Sequence, residues 1–120
     1  MNQLNLLTED GGTRPRFTLA LGERPQERME NYGVNSLSDT ELIAMLLTGN
    51  GMTPETAVIT ASRLIADGGS IAGLAAWTAA DYQRIKGIGR TKAMQLATLT
   101  EIARRMLDNK TERPLLNAAE

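Results

Sequence analysis

The residues of this chain best suited to hold a ligand are Lys86, Gly87, Ile88, Gly89, Arg90, Thr91 and Lys92, and the ligand they suit is a phosphate. Glycine reaches backbone angles closed to other residues and has no side chain to hold a ligand away. Gly87 and Gly89 therefore allow a tight turn with outward-facing amides. Ile88 between them can plug into a core. A helix beginning near Thr91 presents free N–H groups and the positive end of its dipole at the same turn. Lys86, Arg90 and Lys92 add cationic charge beside it. The structural alternative is a turn that only joins two helices, with Ile88 closing the core.

Other chemistry is poorly supplied. The sequence holds no cysteine and no histidine, so disulfides, thiolate catalysis, the common zinc sites and a Ser-His-Asp triad cannot be built from it. Catalysis would fall to carboxylates, lysine or hydroxyls. Glu27, Glu30, Asp39 and Glu41 cluster in sequence, but helix capping and helix solubility account for them more simply. The chain is therefore expected not to be an enzyme and to use no cofactor or metal. The N-terminus lacks a basic region followed by a long apolar run, and no stretch of 18 apolar residues occurs. Neither a signal peptide nor a membrane span is expected, and a cytoplasmic location follows as the default.

The net charge of −1 conceals a division along the chain. Residues 1–83 carry five arginines against ten acids, whereas residues 84–113 carry eight basic residues against Glu101, Asp108 and Glu112. The basic part contains the glycine turn, a placement suited to a polyanion partner.

The elements that must position this turn are helices. Aromatic residues are few, at 3%, while Ala, Leu, Met and Glu abound, so an all-α fold with small aliphatic contacts is expected. Residues 1–22 show no sustained period and read as a flexible arm, with Arg14 and Arg16 within it. A short helix begins at Pro25, a residue suited to the first helical position, and stops at Gly33. Ser38 and Glu41 form a capping box, with Leu37 and Leu42 as its hydrophobic staple, for a helix reaching Thr48. Thr53 and Pro54 start the next helix, which Gly68-Gly69 stops. Residues 70–74 make a short connector. Thr78 and Asp81 form a second capping box, and Trp77 and Tyr82 stand at its staple positions. In the last helix Leu96, Leu99, Ala103 and Met106 are spaced as an inner face running to about Leu107. Pro114 ends the pattern, and residues 109–120 read as a linker.

The spacing of Ile85, Gly87, Ile88, Gly89, Ala93 and Leu96 resembles the helix-hairpin-helix motif, a sequence-nonspecific DNA-binding element. Leu47-Thr48-Gly49-Asn50-Gly51 repeats it weakly, so Thr48, Gly49 and Gly51 form a second, degenerate hairpin in which Asn50 stands where Ile88 does. Glu55 follows that copy and opposes phosphate binding. With Glu23-Arg24-Pro25-x-Glu27-Arg28, Leu37-Ser38-Asp39-x-Glu41-Leu42 and Leu46-Leu47-Thr48-Gly49, these motifs resemble the N-terminal region of the bacterial RadC family over about residues 23 to 116. The resemblance implies a small helical bundle over 23–108 similar to tandem helix-hairpin-helix motifs. It further implies an association with DNA repair and a following JAB/MPN domain, metalloprotease-like, whose His-x-His motif this chain lacks. Two functions follow as expectations. One is a module that binds duplex or branched DNA without sequence specificity. The other is an adaptor that docks a protein partner, self-associates, or positions the metalloprotease-like domain.

Overall fold

The computed structural model describes residues 18–49 and 51–108. Most of the expected arm, Asn50 and the expected linker thus lie outside the described residues. Within them the chain forms helices α1 (Pro25–Tyr32), α2 (Asp39–Leu47), α3 (Pro54–Gly68), α4 (Ala79–Gln83) and α5 (Arg90–Asp108). Short 3-10 turns span Leu21–Glu23, Val34–Ser36 and Ala72–Ala76. There is no strand among the described residues; an isolated antiparallel bridge pairs Gly49 with Met52.

Local chemistry sets the helix starts. Ser38 Oγ accepts from the Glu41 N–H at 3.1 Å while the Ser38 N–H donates to Glu41 Oε1 at 2.8 Å, so two otherwise orphaned amides are satisfied reciprocally. Thr53 Oγ1 accepts from the Thr56 N–H at 3.2 Å, with Pro54 at the first position of α3. Thr78 and Asp81 repeat the capping box at α4 through bonds of 2.8 and 3.3 Å. The rings of Trp77 and Tyr82 flank that box edge to face, 5.2 Å between centroids.

α2 and α3 pack through small residues. Ala44, Ala57 and Ala61 are fully buried, which brings the two backbones close, and Ile43, Leu47 and Leu64 fill the space around them. The second half joins this core through Leu74, Tyr82, Ile85, Ile88, Ala93 and Leu96. Where the chain turns after α3, a Cβ on Gly73 would sit 1.9 Å from the Gly68 carbonyl oxygen. Only glycine permits that crossing.

The expected inner face of the last helix is only partly buried. Ala93 and Leu96 are buried, but Leu99 is 40% exposed and Met106 70% exposed. The physical reason is length. α5 has 19 residues against nine in α2 and 15 in α3, a rod of about 28 Å, and its C-terminal half has less of the bundle to pack on.

Two outcomes follow. Gly73→Ala should lose about 3 kcal/mol of stability in urea unfolding, because backbone rather than a flexible side chain stands in the way. Asp81 is held below its usual carboxylate range, first by the Thr78 N–H, then by the Thr78 hydroxyl, with Arg84 adding attraction and desolvation opposing. A carboxylate with a lowered folded-state pKa contributes stability that is present above its unfolded pKa and lost as pH falls through the folded one. Asp81→Asn should therefore show a smaller loss of thermal stability than the parent chain as the pH is lowered from about 5.

Candidate nucleic-acid interface

The turn between α4 and α5 is built around one glycine. Gly87 has φ 99°, a left-handed conformation that strains any residue with a side chain. A Cβ there would also lie 3.1 Å from Thr60 Oγ1 on α3. On either side, Ile85 and Ile88 are buried in the core, and the Ile88 N–H donates to the Ile85 carbonyl at 3.0 Å. Gly89 differs from expectation. It is absent from the positive-φ glycines, and a Cβ on it would meet open space. Its contribution is the lack of a capping side chain.

That lack matters at the start of α5. The first bond into the helix runs from the Ala93 N–H to the Gly89 carbonyl at 2.9 Å. No side chain among the described residues accepts from the amides of Arg90, Thr91 or Lys92. Those three amides stand at the positive end of the longest helix. Lys86, Arg90 and Thr91 are exposed, while Lys92 is half-buried and lines a groove with Leu46, Leu47 and Gln95. The structure thus brings Lys86, Gly87, Gly89, Arg90 and Thr91 to one exposed turn. It sets Ile88 inward, and the stem of Lys92 against α2.

One cation escaped the sequence reading. Arg63 on α3 donates from Nη1 to the Lys86 carbonyl at 3.4 Å, which places a guanidinium from the acidic part of the chain beside the basic turn. No local pattern links positions 23 residues apart. Only the packing of α3 against the turn does. Lys86, Arg90, Lys92 and Arg63 form no ion pair with a carboxylate among the described residues, whereas Arg84, Arg104 and Arg105 do.

The first hairpin is arranged otherwise. Gly49 and Gly51 both have positive φ, 100° and 90°, and Gly49 and Met52 exchange two backbone bonds of 3.0 Å. Met52 packs against the core. Thr48 turns its hydroxyl back to the Ala44 carbonyl at 2.7 Å. The N-terminus of α3 that follows already has its oxygens: Thr53 caps it, and the buried carboxylate of Glu55 occupies its first turn. Glu55 Oε2 also accepts from the Leu19 N–H at 2.9 Å and lies 3.8 Å from Arg24. Thr48, Gly49 and Gly51 therefore precede a helix start that Thr53 caps and that carries an acidic residue in its first turn.

The chain was compared with known proteins. The family described as UPF0758 N-terminal matches residues 18–94, which include both turns, α1 to α4 and the start of α5. A UPF0758 protein of Burkholderia cenocepacia is 43% identical over 90 residues, covering 75% of this chain and 35% of the relative. UPF0758 proteins of Clostridium kluyveri and Clostridium botulinum are 36% and 39% identical over 87 residues, covering 72% of this chain and 38% of each relative. The chain thus spans little more than a third of the length of these curated relatives. No solved structure matches it. Family match and relatives agree with the resemblance carried by the Arg24-Pro25, Ser38-Asp39 and Ile85 to Gly89 motifs, and the chain belongs to the UPF0758 N-terminal family.

Proposed function

We propose that this chain is a sequence-nonspecific DNA-binding module whose contact surface is the turn from Lys86 to Thr91, joined by Arg63. The observation that carries the reading is the uncapped start of α5. Its free amides follow a glycine turn, are flanked by exposed cations, and have no carboxylate among the described residues to neutralise them. Backbone amides at a helix start bind phosphate oxygens without reading bases. Lys86, Arg90 and Arg63 supply attraction that reaches a Debye length into solvent. The first hairpin adds little in this reading, since Thr53 caps the helix that follows it and Glu55 puts a negative side chain in its first turn. Any association with DNA repair, and any chemistry of a following metalloprotease-like domain, would be properties of a longer chain.

A second reading, a docking adaptor, draws on a different observation. The C-terminal half of α5 exposes Ile102, Met106 and Leu107, a surface that suits a protein partner better than a polyanion.

Titration of unrelated duplexes at low salt should show binding, with log affinity falling against log salt at a slope of about −2 to −4, as for two to four neutralised phosphates. The Lys86→Glu, Arg90→Glu double variant should abolish it without lowering the melting temperature, because neither side chain is buried. No binding by the parent chain at low salt would reject the DNA reading. A sharper separation of turn from ligand comes from Gly89. Gly89→Asp supplies the missing cap and should stabilise the fold by a few tenths of a kcal/mol. The same carboxylate would fill the phosphate position, so affinity should fall roughly tenfold or more. Gly87→Ala should instead cost about 1–3 kcal/mol of stability, a loss read by thermal unfolding in the absence of DNA.

A further inference from the structure

The turn that joins α4 to α5 has a definite backbone geometry. The Ile88 N–H donates to the Ile85 carbonyl at 3.0 Å, and Gly87, third of the four residues, has φ 99°. With lysine in second place, that is a type II turn. Its central peptide, between Lys86 and Gly87, can turn over without breaking the closing bond, because a type I turn keeps that bond and differs in the facing of this peptide. The peptide is trans, so the Lys86 carbonyl and the Gly87 N–H point in opposite directions. Whatever holds one of them aims the other.

We propose that Arg63 is a positioning residue for phosphate binding: it holds the Lys86 carbonyl so that the Gly87 N–H faces away from the guanidinium and joins the free amides of α5 as a donor. This rests on the DNA reading above. Three observations carry it. Arg63 Nη1 donates to the Lys86 carbonyl at 3.4 Å, a long contact, but one in which a full charge faces a carbonyl dipole. The Gly87 N–H has no acceptor among the described residues, and Gly87 is exposed. Finally, α3 also offers a partner for the opposite facing. Thr60, one turn before Arg63, is fully buried, and its unpartnered hydroxyl would lie 3.1 Å from a Cβ on Gly87. The hydroxyls of Ser62, Thr98 and Thr100 donate to the carbonyl four residues back. Thr60 makes no such bond. Were the central peptide to turn over, its N–H would face α3 and that hydroxyl, while the Lys86 carbonyl would face the phosphate and repel it. Arg63 is thus the contact that selects the facing with a donor outward.

Amide proton–nitrogen correlation spectra of the isotope-labelled chain test this, with a short duplex of arbitrary sequence as the probe. In the parent chain the Gly87 N–H should shift downfield together with those of Arg90, Thr91 and Lys92 as duplex is added. Arg63→Met should lose the Gly87 response, keep that of the α5 amides, and bind roughly tenfold more weakly, as for one lost amide–phosphate bond. Arg84→Met removes the same charge from a side chain paired with Asp81, and it should leave Gly87 responding. Should Arg63→Met fail to fold by circular dichroism, Arg63→Lys serves in its place, since the charge remains while its head stops short of the carbonyl. A Gly87 amide that still responds in the folded Arg63 variant overturns the proposal, because Arg63 is then only one more cation. A parent chain whose α5 amides respond while Gly87 does not overturns it equally, and leaves the DNA reading standing. Absence of binding, with no response at any of these amides, rejects the DNA reading, and the proposal falls with it.

Discussion

The second half of the molecule depends on one close approach, that of the Gly87 backbone to Thr60. Thr60 is fully buried in the middle of α3, and a Cβ on residue 87 would come within 3.1 Å of its hydroxyl. Because the turn lies so near α3, Ile85 and Ile88 reach the core on either side of it, and Arg63, one turn of α3 beyond Thr60, meets the Lys86 carbonyl. The direction in which α5 leaves is set at the same place. The Thr60 hydroxyl itself has no hydrogen-bond partner among the described residues, a cost to stability at this contact.

The two glycine turns show how similar sequence spacing yields different surfaces. Each joins a helix pair, yet at α3 Thr53 caps the helix start, and Glu55 in its first turn holds the Leu19 amide. At α5 nothing occupies the equivalent position among the described residues. A helix dipole satisfied internally contributes to stability, whereas one left open is available to an outside anion. Within this small bundle the first arrangement fastens the segment before α1, and the second leaves a surface.

Much of this was legible in the residues. The capping boxes at Ser38 and Thr78, Pro25 and Pro54 at helix starts, and the Trp77–Tyr82 staple rest on interactions within a few positions, which local sequence encodes. Ile88 as a buried plug was legible for the same reason. What sequence could not supply depends on the distance between helices. Arg63 joins the turn only through packing. Gly89 matches Gly87 in type but not in conformation, since φ follows from where the turn lies against Thr60. Leu99 and Met106 carry the periodicity of an inner face, and periodicity says which side of a helix is apolar but not whether anything lies against it.

The length of α5 has a geometric meaning beyond packing. A single unbroken helix joins the basic turn to the exposed apolar residues at its far end, so it acts as a ruler between them. From Arg90 to Ile102 the rise is roughly 18 Å. Lengthening or shortening the helix between those residues would change that gauge while leaving both ends chemically intact.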